Sequence, residues 1–187
     1  RPRIIMLENV PEFEEWGPLD KNDMPIKELR GLEFKRWVND LRTLGYVVEW
    51  RLLKACDYGV PTSRERLFLI ARCDGESIFW PKPTHGENLL PYRTAAECID
   101  FSLLCPSIFL SKKEAKKYGA KRPLAENTLK RIAKGLEKFI FNAKEPFIVD
   151  DRLLFLTKYH GKRNGEIDAR GQVLNEPLLT QDTQNRF

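Results

Sequence analysis

At 187 residues, 42% hydrophobic and 32% charged, the chain suits one ordinary domain or two small ones, and it is too apolar for a disordered tail. No apolar run approaches the ~20 residues that span a bilayer, and no signal-peptide pattern opens the sequence, so neither a membrane partner nor secretion is expected. The net charge of +5 is unevenly placed: residues 1–79 carry 13 basic and 14 acidic side chains, residues 80–187 carry 19 and 13, and residues 112–138 alone carry 10 and 3. A polyanion partner for the second half is one reading of that split, and a lysine-rich solvated surface is the other.

In chain order, "RIIML" at 3–7 is apolar on both faces and reads as a short, fully buried strand. "PEFEEWGPLDKNDMP" is a loop, punctuated by prolines and Asn/Asp turn signals. "IKELRGLEFKRWVNDLRTLG" reads as a helix: Leu29, Leu32, Trp37, Val38, Leu41 and Leu44 fall mostly on one stripe, Pro25 suits the first turn, and Gly45 suits the C-terminal cap. "YVVEWRLL" and "RLFLIAR" are further strands, separated by "KACDYGVPTSRE". Strand, helix, strand, loop, strand is α/β material.

Composition changes at "FWPKPTHG", with two prolines and a glycine in eight residues, and a domain boundary is expected near residue 80. Beyond it, "TAAE" at 94–97 and "SKKE" at 111–114 have capping-box spacing and should open short helices. "NTLKRIAKGLEKFI" is the clearest helix of the second half, with Leu129, Ile132, Ala133, Leu136, Phe139 and Ile140 repeating at three and four. "FIVDDRLLFLTKYHG" reads as one or two strands, and "GKRNGEIDARG" as a glycine-punctuated basic loop. The sequence opens on Arg1 rather than Met and stops at "TQNRF" without a capping signal, so a piece of a longer protein is expected.

Cys56, Cys73, Cys98 and Cys105 form no C-x-x-C pair, and only His85 and His160 could join them, which argues against zinc. Scattered thiols without a secretion signal suit a reducing, cytoplasmic compartment.

Four stretches carry the chemistry: "LENVPEF" at 7–13; "DYGVPTSRERLFLIA" at 57–71; "AAECIDFSLLCPSIF" at 95–109 with "RPLAENTLKRIAKGL" at 122–136; and "LTKYHGKRNGEIDARGQVLNEPLLTQDTQNRF" at 156–187. Glu8 alone could be a polar residue where a strand runs out. Followed about fifty residues later by Y-G-V-P-x-x-R-x-R and an apolar strand, it is far more specific. Over nearly its whole length the chain resembles the C5-specific DNA cytosine methyltransferases, particularly the phage and restriction-modification type.

That resemblance implies a catalytic role for Glu8, hydrogen-bonded to the target cytosine and assisting protonation at N3. The second motif, Q-x-R-x-R in the family, here reads Thr62-Ser63-Arg64-Glu65-Arg66. Arg66 then contacts the base carbonyl oxygen and nearby backbone, Arg64 reaches phosphate or braces the loop, and Asn9 ties loops together at the catalytic strand end. Thr62 in place of Gln puts only the glutamine's own role in doubt. No Pro-Cys dipeptide is present, although the family's nucleophile lies in one, and the glycine-rich loop that cradles S-adenosylmethionine is missing too.

The resemblance therefore implies part of a Rossmann-like methyltransferase sheet at residues 1–79, then a smaller mixed α+β target-recognition domain at 80–187. The parent enzyme would be a monomer in the cytoplasm of a bacterium, or phage-encoded there, acting on double-stranded DNA with S-adenosylmethionine. This chain alone would be inactive, with the main cofactor pocket elsewhere. Lys162, Arg163, Asn164, Arg170 and Gln172, in a glycine-flanked loop, are candidates for base readout. Lys112, Lys113, Lys116 and Lys117 form either a phosphate-facing or a merely solvated helix. The competing functions are a non-catalytic DNA-binding module or half of a split enzyme, and a protein-assembly domain.

Overall fold

The computed structural model describes residues 1–157 and 171–179. The chain divides into two compact units, Arg1–Pro91 and Tyr92–Phe187. In the first, β1 (Ile4–Asn9), α1 (Leu32–Thr43), β2 (Val47–Lys54) and β3 (Glu65–Arg72) follow one another, and the strands lie in the order β1-β3-β2. Both outer strands run antiparallel to β3, so β1 and β2 are parallel to each other, joined through α1, with β3 inserted between them.

Register decides which side chains share a face, because successive strand residues point to opposite sides. Leu7 pairs with Leu69 and Asn9 with Leu67 on one side; Val48 pairs with Ala71 and Trp50 with Leu69 across β2. This is the core face. Leu67, Leu69 and Ala71 are fully buried, and α1 closes over them with Phe34, Val38 and Leu41. Phe13, from the 3₁₀ turn Pro11–Glu15, completes the cluster edge-on to Phe34, with ring centroids 5.5 Å apart. Each buried leucine contributes about 1.5–3 kcal/mol.

The opposite face carries Ile4, Met6 and Glu8 on β1, and no helix of this chain covers it among the described residues: Met6 is 75% exposed. The expectation of a strand buried on both sides is corrected. Apolar content is the same on both faces, but only one has a packing partner here.

The helix starts later than its apolar stripe suggests. Gly31 takes the left-handed conformation (φ 78°) at the N-cap, and Lys27–Leu29 form a separate 3₁₀ turn, leaving Leu29 exposed; Leu44, at the C-cap, is exposed as well. Gly45 ends the helix as read, with φ 84° and its N–H on the Arg42 carbonyl.

The two compact units divide at Pro91/Tyr92. Trp80 Nε1 donates to Glu49 Oε2 at 2.7 Å, and the Thr84 and His85 N–H groups both donate to the Asp57 carbonyl. These bonds hold residues 80–91 onto the first unit.

The second unit is built from short pieces. Capping boxes at Thr94/Glu97 and Ser111/Glu114 open a 3₁₀ turn (Ala95–Cys98) and α2 (Lys112–Lys116), as their spacing suggests. Next, α3 (Glu126–Leu136) widens into a π turn at Glu137–Phe141. A hairpin follows, β4 (Ile148–Val149) with β5 (Arg152–Leu153), turned by Asp150 and Asp151 at positive φ. Finally β6 (Leu156–Thr157) pairs with β7 (Gly171–Gln172).

Candidate active site

The open face of the sheet brings the motif residues together. Glu8 pairs with Phe68, and Arg66 lies two residues before Phe68 on the same strand, so all three project to the side away from α1. The two motifs, distant in sequence, meet because β3 inserts beside β1. Arg66 Nε lies 3.6 Å from Glu8 Oε1, an ion pair too long to count as a hydrogen bond. The side chain of Arg66 is 17% exposed and that of Glu8 is 54% exposed. Arg66 Nη1 donates to the Glu65 carbonyl at 2.7 Å, which helps fix the guanidinium, and Arg66 lines a cavity on this face.

That cavity has a volume of about 690 Å³. Its polar lining is Glu8, Lys54, Tyr58, Arg64 and Arg66; its apolar lining includes Met6, Leu53, Phe68, Ile70, Trp80 and Pro81. A mostly apolar lining that also holds a carboxylate and two arginines suits a polar heteroaromatic ring.

The connection between β2 and β3 is tied at both ends. Ala55 N–H donates to the Arg64 carbonyl at 2.9 Å, and Thr62 Oγ1 accepts from Arg64 N–H at 3.3 Å. Thr62 therefore closes a side-chain turn just before the arginine strand. Asn9 points to the core side, where it pairs with Leu67, and its Oδ1 accepts from Val10 N–H at 2.8 Å. It shapes the strand exit and does not line the cavity.

No cysteine lines the cavity. Cys56 is buried, with Sγ 3.7 Å from Asp57 Oδ1, and burial, reinforced by that carboxylate, pushes its thiol up. A nucleophilic thiolate needs the opposite shift.

A profile of the family described as C-5 cytosine-specific DNA methylase matches residues 1–133. The chain belongs to that family. It is 40% identical over 131 residues to the type II methyltransferase M.BspRI of Lysinibacillus sphaericus, covering 63% of this chain and 28% of that protein. To the type II methyltransferase M.BsuRI of Bacillus subtilis it is 27% identical over 164 residues, covering 75% and 35%. The chain thus spans about a third of the length of these curated relatives. The structure of the Entamoeba histolytica methyltransferase EhMeth superposes with a TM-score of 0.39 at 23% identity, over 64% of this chain and 31% of that one.

For a C5 methylase, S-adenosylmethionine is the methyl donor in general, and the described link from β1 into α1 offers no open glycine cradle for it. The glycines of that link are packed against backbone. A Cβ on Gly17 would sit 2.5 Å from the Leu29 carbonyl oxygen, and one on Gly31 would sit 2.9 Å from that of Glu14. Acidic Glu28 and Glu33 flank the helix start.

Of the readout candidates, Lys162, Arg163, Asn164 and Arg170 lie outside the described residues. Gln172 is described, and its placement corrects the expectation. It is only 6% exposed; its Nε2 donates to the Pro177 carbonyl at 3.1 Å and its Oε1 accepts from Leu179 N–H at 2.8 Å. Both ends of the amide serve the backbone of a turn, so none is left to read a base.

Sequence reasoning missed Trp80, Lys54 and Tyr58. The available signals were Tyr58 at the head of the Y-G-V-P motif and a tryptophan inside a proline-rich stretch.

Proposed function

We propose that the complete protein is a DNA (cytosine-5-)methyltransferase, moving a methyl group from S-adenosylmethionine to C5 of a cytosine flipped out of a specific duplex site. In this reading β1, β2 and β3 are one edge of a Rossmann-like sheet, the second unit is the target-recognition domain, and the enzyme acts as a monomer in a bacterial or phage-infected cytoplasm. The pairing of Glu8 with Arg66 in one cavity is the observation that carries it.

In the family's reaction a thiolate adds to C6 and charge accumulates on the ring. The Glu8 carboxyl, mounted on a strand end and half-exposed, shares a proton with N3 and neutralises that charge. Arg66 donates to the base carbonyl oxygen; its fork never deprotonates and the Glu65 carbonyl helps fix it. Arg64 meets the flanking phosphate. The apolar floor lowers the local dielectric, so each of these polar contacts counts for more than in water. The thiolate and the methyl donor are not supplied by the described residues.

The test is transfer of a labelled methyl group to duplex DNA by the complete protein, with Arg66→Ala alongside. The wild type should label C5 of cytosine and the variant should lose both base positioning and rate. Salt-dependent duplex binding with no methyl transfer would favour the DNA-binding module instead.

A further inference from the structure

Trp80 belongs to the stretch whose composition reads as a linker, yet its indole is built into the open face of the sheet. Nε1 donates to Glu49 Oε2 at 2.7 Å, and the Arg51 guanidinium lies 4.9 Å from the ring centroid. Both partners are on β2 and project to the same side as Glu8: Arg51 pairs with Phe68, and Phe68 pairs with Glu8. One cross-strand row therefore runs Glu8, Phe68, Arg51, with Trp80 over its far end. Neighbouring strands lie about 4.8 Å apart, so the two ends of the row are roughly 10 Å apart. Phe68 is the floor between them, and Trp80 and Pro81 line the cavity together with Glu8, Arg64 and Arg66.

This wall is braced. Thr84 and His85 N–H groups donate to the Asp57 carbonyl at 2.8 and 3.1 Å, Leu90 N–H donates to the Thr84 carbonyl at 3.2 Å, and the His85 ring rests against Gly59. The turn they grip, Ala55–Tyr58, is the one whose first N–H holds the Arg64 carbonyl.

We infer that Trp80 is a positioning residue for the base: its indole is the wall facing Glu8 and Arg66, and it limits how far a flat ring can slide away from them. The inference rests on the methyltransferase reading. An indole gripped by a carboxylate on its N–H and a guanidinium on its face has little freedom, and a planar apolar wall matches a planar ligand.

The experiment compares Trp80→Ala, Trp80→Phe and Phe79→Ala in the complete protein, measuring kcat, duplex Kd and thermal melting; Phe79 is exposed and absent from the cavity lining. Trp80→Ala should lower kcat roughly 10- to 100-fold through misplacement of the base. Its duplex Kd should stay at the wild-type level, Trp80→Phe should recover most of the rate, and Phe79→Ala should match wild type. A Trp80→Ala variant with wild-type kcat, or a loss no larger than its loss of folded protein, would overturn the inference alone. An inactive wild type would overturn the methyltransferase reading, and this inference with it.

Discussion

Glu8→Gln separates catalysis from stability by a margin that the structure supports. The substitution keeps size and shape and removes one charge. Among the described residues that charge pairs with Arg66, at 3.6 Å and with the carboxylate half in water. Partly exposed pairs of this kind contribute about 0.2–1 kcal/mol, so the fold should barely notice. A proton donor positioned at N3 contributes roughly 10²- to 10⁴-fold in rate. At about 1.36 kcal/mol per decade this is about 2.7–5.4 kcal/mol of barrier, several times the stability change. Denaturant titration of wild type and variant supplies the first number. Single-turnover methyl transfer by the complete protein, in excess over duplex, supplies the second without interference from binding or product release. Undiminished transfer by Glu8→Gln would refute the assignment. So would a rate loss that merely tracks a loss of folded protein.

Leu69→Ala should cost about 2–5 kcal/mol, because Leu69 is fully buried between β1, β2 and α1; denaturation midpoints check this, and a cost under about 1 kcal/mol would mean that α1 does not close this face. The Arg72 guanidinium, bonded to Asp74 at 3.0 and 2.8 Å, holds that carboxyl down at about 2 from its ordinary 3.8. A depressed carboxyl stabilises the fold above its unfolded value, and the contribution is lost as pH falls from 3.8 toward 2. Asp74→Asn should therefore flatten the acid dependence of stability in that window, and an unchanged slope would contradict the pairing. Duplex affinity should reside mainly in residues 80–187, where 19 basic side chains face 13 acidic ones, and should fall steeply with salt in mobility shifts. Salt-insensitive binding would contradict it.

Much of the first unit was legible because its signals are local. Three apolar runs bounded by Gly, Pro and Asn became three strands, and Gly45 ended the helix where a left-handed cap was needed. What was misread depended on partners distant in sequence. Met6 and Leu7 are equally apolar, but only Leu7 faces α1, and nothing in the alternation reveals which face finds a helix. Gly31 sits inside an apolar stripe, and only its φ moves the helix start to Leu32. The prolines after Trp80 were read as a domain boundary, and composition cannot show that the indole bonds Glu49. Glu8 and Arg66 were found through the family motif, and their adjacency follows from β3 lying beside β1. Gln172 looked like a reader because it is an amide beside Gly171, at the edge of a glycine-flanked basic loop; burial and three backbone partners make it a brace.

The most direct measurement is a crystal structure of the complete protein on duplex DNA, with the target cytosine extruded. The base should lie on Phe68, with the Glu8 carboxyl about 2.6–3.2 Å from N3 and Arg66 donating to the carbonyl oxygen. An extruded base seated elsewhere, with Glu8 still turned only to Arg66, would contradict the assignment.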